Sequence, residues 1–240
     1  METNEMQAFI QRIRQELTTL ADEKTRISGE RFFKEKVKIY GLKTVLARKL
    51  SKSYYQEISY LPKNEIFDLC EELWKSGYVE ESFFACDWSL NQRKNYQPED
   101  FDIFEHWVAS YVSNWASCDT LCNHTIGEFL MKFPDFVSRL KTWSKSSNLW
   151  MRRAAAVSLI IPARKGLFIS DIFEIATLLL TDRGDLVQKG YGWMLKAADN
   201  AHRPLVFDFV MKNKANMPRT ALRYAIEKMP PDLKAVAMAK

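Results

Sequence analysis

The sequence predicts an all-α chain built from short helices, and three observations predict it. Apolar residues recur at three- and four-residue intervals almost throughout, the repeat of a helix face. No stretch of any length alternates apolar and polar residues as a half-buried strand does. Proline, glycine and Ser/Asp/Asn positions punctuate the chain at short intervals, where helix starts and stops are expected. Together these describe a superhelical α-solenoid of antiparallel helix pairs, HEAT-like in type, with a pair spacing of roughly 35–45 residues. No composition shift or linker divides the chain, so residues 1–240 are expected to form one domain.

The elements follow in order. Met6, Ile10, Ile13 and Leu17 mark a first amphipathic helix. A second is predicted over Gly29 to Tyr40, carrying Phe32 and Phe33 among Arg31, Lys34, Lys36 and Lys38, with Gly41 as its C-terminal stop. A short basic helix is predicted over Thr44 to Lys52, meeting the next segment at Ser53. Pro62 opens a helix running to Trp74 and stopped by Gly77. Glu80 to Gln92 forms another, and Pro98-Glu-Asp starts one containing Ile103, Phe104, Trp107 and Tyr111, with acids in its first turn. Ser113 or Asn114 caps a helix that holds Trp115 and Asp119 and continues to about Lys132. Pro134-Asp begins the next. Ser146-Ser-Asn148 caps the helix of Trp150 to Ile161, which Pro162 closes. Ser170-Asp begins one through Ile175 and Leu180, and Asp185 caps the segment to Ala198. Pro204 opens one to Met211, and Pro218 opens the last, to Met229.

The composition is 47% hydrophobic and 27% charged, that of an ordinary soluble protein rather than a disordered one. No apolar run approaches the ~20 residues that span a bilayer. The N-terminus lacks signal-peptide character, so a cytoplasmic location without membrane contact is expected. Cys70, Cys86, Cys118 and Cys122 sit in apolar surroundings without a C-x-x-C pair, and read as buried reduced thiols. Neither a metal site nor a cofactor is expected.

The net charge of +5 is unevenly distributed. Residues 1–60 carry 12 Lys/Arg against 8 Asp/Glu, residues 61–138 carry 5 against 14, and residues 139–240 carry 18 against 8. A basic C-terminal segment suits a polyanion, because neutralising phosphates releases condensed counterions. Nucleic acid is therefore favoured as a partner.

Trp115 and Asp119 are four residues apart, so on a helix the indole and the carboxylate share a face. A carboxylate on such a face calls for a cation or a donor. Arg152 and Arg153 can supply the cation, and Trp193 a second aromatic wall.

The order and spacing of several stretches carry more information than any one of them. They are Tyr40-Gly-Leu-Lys-Thr44, Glu72-Leu-Trp74, Trp115-x-x-x-Asp119, Gly127-Glu-Phe-Leu-Met-Lys-Phe-Pro134, Asn148-Leu-Trp-Met-Arg-Arg-Ala-Ala155, Gln188-Lys-Gly-Tyr-Gly-Trp193 and Arg223-Tyr-Ala-Ile226. Through them the chain resembles the AlkD-like DNA alkylation repair glycosylases, from about Arg31 to about Met229. The resemblance implies a monomeric, metal-independent enzyme. It would excise cationic N3- and N7-alkylpurines from double-stranded DNA without conventional base flipping, leaving an abasic site.

Residue by residue, the resemblance makes Asp119 the catalytic carboxylate. Trp115, Trp193 and Phe32 become aromatic walls. Arg153, with Arg152 and Lys189 beside it, becomes the partner of the DNA backbone or of the carboxylate, and the spacing from Trp150 favours Arg153 over Arg152. Two departures stand out. Phe32 occupies a position where the family usually has Tyr, so a hydroxyl contact is lost. Asn114 and Ala116 flank Trp115 where the family often has Trp and Asp. Two other readings of the chain are a non-catalytic module binding damaged or branched DNA, marked by loss of the Asp or a wall tryptophan, and a scaffold for protein partners, marked by an apolar or mixed-charge groove.

Overall fold

The computed structural model describes residues 3–239, and the chain divides into two compact units, residues 1–120 and 121–240. Both are all-α, as the periodicity predicts. The β pairing among the described residues is one isolated parallel bridge between Lys38 and Tyr78.

The first unit holds α1 (Thr3–Thr19), α2 (Glu23–Phe32), α3 (Thr44–Ile58), α4 (Lys63–Lys75), α5 (Val79–Asn91), α6 (Asp100–Ser110) and α7 (Trp115–Thr120). Ile10, Ile13 and Leu17 of α1 turn inward together, completing the stripe their spacing anticipates. α5 packs against both α3 and α4. It is buried nearly all round, with Phe84, Ala85 and Trp88 fully enclosed, as befits a central helix. Trp88 Nε1 donates to the Ser51 carbonyl at 3.0 Å, so its one polar atom is satisfied.

Two expectations fail here, for identifiable reasons. The second helix spans Glu23–Phe32 rather than Gly29 to Tyr40. Asp22 caps it, its carboxylate accepting the Thr25 N–H at 2.7 Å, which places Gly29 in the helix interior. Gly41 is not a helix stop but a tight-approach residue. At φ +106° a Cβ there would stand 2.6 Å from the Asp22 carbonyl oxygen. The third helix does not stop at Ser53. Tyr54 and Ile58 prolong its buried stripe, and it runs to Ile58.

The second unit begins with a π-helical stretch, Leu121–Ile126, which passes into α8 (Gly127–Lys132). The helix expected from Trp115 to Lys132 is therefore continuous in sequence but changes its winding after Thr120. α9 (Val137–Trp143), α10 (Leu149–Val157), α11 (Ile160–Arg164), α12 (Ile169–Leu178), α13 (Asp185–Asn213), α14 (Arg219–Ala225) and α15 (Pro231–Met238) follow. Ala154, Ala155 and Ala156 of α10 are all buried, and α13 packs against α10, α11, α12 and α14.

Pro162 does not close the helix before it. The break falls at Ser158–Leu159, and Pro162 becomes the third residue of α11, inside the first turn, where a missing N–H costs nothing. The two helices expected over Asp185 to Ala198 and from Pro204 to Met211 are joined into one through His202, whose φ −133° and ψ 39° kink α13. The α14 helix is shorter than the expected run to Met229, and α15 lies beyond it, where no helix was expected.

Candidate functional site

In the first unit, α7 is set by its N-terminus. Asn114 is almost fully buried, and its side-chain oxygen accepts the Ser117 N–H at 2.9 Å while its amide donates to Ser117 Oγ at 3.0 Å. Ser117 Oγ lies 2.7 Å from Ser82 Oγ, and Ser82 in turn donates to the Val79 carbonyl at 2.7 Å. This buried polar chain fastens the start of α7 to α5. Of the two capping residues the sequence offers, Asn114 is the one used.

With Ser117 and Cys118 buried, Trp115, Ala116, Asp119 and Thr120 keep the partly open face. Trp115 and Asp119 are both half-buried and one turn apart, as their spacing predicts. Phe33 stacks on Trp115 with ring centroids 5.4 Å apart and planes 30° from parallel. Phe32 meets the same indole edge-on at 5.5 Å, and is itself 70% exposed. The structure thus brings Phe32 and Trp115 together. It adds Phe33, which sequence reasoning missed because a helix over Gly29 to Tyr40 would point adjacent residues apart.

The backbone beyond that pair is held by two buried acids. One carboxylate, Glu80, accepts the N–H groups of Tyr40, Gly41 and Leu42 at 3.1, 2.9 and 3.1 Å. The other, Glu81, accepts the Tyr40 hydroxyl at 2.7 Å and the Arg14 guanidinium at 3.1 Å. Burial and the bond to Glu81 push the Tyr40 phenol well above its ordinary range, so it stays a neutral donor. Tyr40 also stacks on Tyr78 at 4.0 Å. In sequence, Glu80 and Glu81 read as first-turn acids of α5; nothing in their spacing reveals that they reach across to residues 40–42.

The remaining expected site residues lie in the second unit, on α10 and α13. Arg152 is occupied by local partners: its Nε donates to Asp182 at 2.6 Å, and its Nη1 to the carbonyls of Ser146 and Ser147 at 2.9 and 3.0 Å. These bonds tie the cap of α10 to the turn before α13. The neighbouring Arg153 is buried and donates to the Leu186 carbonyl. A Cβ on Gly190 would stand 3.5 Å from Arg153 Cγ, so that glycine lies against the arginine stem.

Lys189 pairs with Asp185 at 2.8 Å, and hydrogen bonding to that carboxylate raises its pKa. Trp193 is half-buried on α13. Gly192 beside it lies where α13 meets α14: an added Cβ would lie 2.7 Å from Tyr224 Cβ and 2.8 Å from the Ala221 carbonyl oxygen. Of the two glycines around this indole, Gly192 therefore serves close packing, while Gly190 leaves room for a Cβ at ordinary contact.

The four cysteines are buried and form no disulfide. Burial pushes the Cys70 and Cys86 thiols up, away from nucleophilic or metal-ligating character. No helix among the described residues is long and apolar enough to cross a membrane.

A search of curated proteins finds no match to the chain. Among solved structures, one described as a predicted DNA alkylation repair enzyme from Enterococcus faecalis superposes with a TM-score of 0.79 at 17% identity. The match covers 88% of this chain and 97% of that one. At that identity the likeness speaks for the fold. The family model described as "DNA alkylation repair enzyme" matches residues 13–229, nearly the whole chain. By that match, this chain belongs to the DNA alkylation repair enzyme family.

Proposed function

We propose that this protein is a monofunctional DNA glycosylase that hydrolyses the N-glycosidic bond of cationic N3- and N7-alkylpurines in duplex DNA. On this reading the chain works as a monomer and as one functional domain, without metal or cofactor. The observation that carries it is the open face of α7, where half-buried Asp119 stands one turn from an indole backed by Phe33 and flanked by exposed Phe32.

The chemistry suits those groups. Alkylation makes the purine a cation, so the bond to the sugar breaks with its electron pair passing to the base and neutralising it. Positive charge then builds on the sugar at C1′. A fixed carboxylate at Asp119 stabilises that charge and orients the water that adds to C1′ and gives up a proton. The faces of Trp115 and Trp193 attract nearby positive charge, which suits both the alkylated base and the sugar cation. The hydroxyl lost at Phe32 leaves that wall able to stack but not to hydrogen-bond. Arg153, enclosed and anchored on a carbonyl, suits a fixed cation better than Arg152, whose donors hold Asp182 and two carbonyls.

Because no general acid is assigned to the leaving base, neutral lesions such as uracil or hypoxanthine are not substrates on this reading. The test is release of free 3-methyladenine or 7-methylguanine from methylated duplex DNA, with Asp119→Asn as control. Comparable release of uracil, or full activity in a folded Asp119→Asn protein, sinks the proposal.

A further inference from the structure

Residues 34–39 connect α2 to α3 and alternate in exposure. Lys34, Lys36 and Lys38 are exposed, while Glu35, Val37 and Ile39 are half-buried. Every outward position in the run is a lysine. Ile39 Cδ1 lies 3.1 Å from where a Cβ on Gly29 would stand, which seats the inward side of the segment on α2. At the far end, the Lys38 carbonyl accepts the Val79 N–H at 2.9 Å, and Glu80 gathers the next amides at residues 40–42. Lys38 Nζ is steadied by the Ser76 carbonyl at 3.3 Å. At the near end the run leaves directly from Phe32 and Phe33. The lysines therefore stand on a backbone anchored at both ends, beside an exposed aromatic ring.

We propose that Lys34, Lys36 and Lys38 form a phosphate-gripping comb that holds one strand of duplex DNA next to the Phe32–Phe33–Trp115 cluster. The proposal rests on DNA being the partner of this protein. The chain bends at Lys34 and Glu35 and is extended beyond them, so Lys36 and Lys38, two apart, stand about 6.6 Å from each other. A DNA strand presents one charge for roughly every 3.4 Å of axis, so that spacing spans about two phosphate steps. A row of outward lysines beside an aromatic ring is the pairing that nucleic acid uses, with backbone held by cations and bases met by rings. A membrane surface would instead call for a broad apolar face beside the lysines, and here one exposed phenyl ring stands there.

The test measures affinity for an unmodified duplex oligonucleotide by fluorescence anisotropy across a salt series, for the wild type, a Lys34→Gln/Lys36→Gln/Lys38→Gln variant and the matching triple Lys→Arg variant. Each phosphate contact contributes about 0.9 to the slope of log affinity against log salt. The triple Gln variant should therefore lose about 2–3 from the slope, and the triple Arg variant should keep it. An unchanged slope in a triple Gln protein that melts like the wild type overturns the comb. So does a slope lost equally in the Arg variant, because the charge would then not be the cause. Binding to anionic phosphatidylserine vesicles that falls in the triple Gln variant while the DNA slope stays unchanged also overturns it, in favour of a membrane surface. A wild type that shows the slope loss on mutation yet releases no alkylpurine leaves the comb standing and removes the glycosylase reading. A wild type with no affinity for duplex DNA removes both.

Discussion

Trp115 and Trp193 are each proposed as an aromatic wall, yet each unit holds its tryptophan by different means. Trp115 opens a short helix whose start is fastened by side chains: the Asn114 cap, the Ser117–Ser82 contact and the stacked ring of Phe33. Trp193 sits inside a long helix positioned by backbone approach, with Gly192 almost against the Ala221 carbonyl. The first arrangement is assembled from interactions that can be removed one at a time. The second depends on the absence of a single atom. Substitutions near Trp115 should therefore degrade the protein by steps, and substitutions near Trp193 should be tolerated or not according to the room for one Cβ.

The sharpest break separates chemistry from scaffold. Asp119→Asn keeps the shape of α7 but removes the negative charge, and one preorganised electrostatic contact is worth ~10²–10³ in rate, about 3–4 kcal/mol. Single-turnover excision should fall by that factor, with an unchanged melting temperature and with DNA affinity equal or slightly raised. Joint loss of stability and activity would make the carboxylate a structural group.

Next in size is the contrast between two neighbouring glycines. Gly192→Ala drives a Cβ into Tyr224 and a backbone carbonyl, and overpacking of this kind costs ~1–3 kcal/mol, more than the ~1 kcal/mol that alanine gains in helix propensity. Gly190→Ala meets only ordinary contacts at 3.5–3.6 Å, so the propensity gain should dominate and stability should hold or rise slightly. Thermal melting of the two variants reads the difference directly. Equal melting temperatures would show that α13 and α14 can separate to admit the methyl group.

Trp193→Ala should reduce excision by a smaller factor than Asp119→Asn, because a cation–ring contact is worth roughly 1–2 kcal/mol. An effect as large as that of Asp119→Asn would mean that the indole positions something else. Smallest in expected effect is Asn114→Ala. Loss of an N-cap costs ~1 kcal/mol, and denaturant unfolding should register it. If stability were untouched, the buried polar chain from Asn114 to Ser82 would not be what fastens α7.

The site was partly legible in the residues alone. The four-residue spacing of Trp115 and Asp119 was enough to place both on one face, because helical geometry is local and needs no knowledge of what packs nearby. The Asn114 cap was readable for the same reason. Phe33 was not, since its partnership with Trp115 depends on where the chain goes after α2, and the lysine-rich run that follows was mistaken for helix. The clue was present in that run: lysines alternate with Glu35, Val37 and Ile39, a two-residue period. Arg152 and Arg153 show a second limit. They are adjacent in sequence, and only packing decided that one holds Asp182 while the other is enclosed against Leu186 and Gly190.

The sequence by itself determined the all-α class, most helix starts, the Trp115–Asp119 face and the ordered motifs by which the chain resembles its family. Each of these depends on periodicity, capping chemistry or residue order, which the covalent chain carries within a few positions. Tertiary structure alone decided that Glu80 gathers the amides of residues 40–42, that Phe33 backs Trp115, and that Gly192 lets two helices touch. Those arrangements join residues some 30 to 80 positions apart along the chain. They arise because a buried carboxylate must find donors, an exposed ring gains by stacking, and two helix backbones can close only where a side chain is missing.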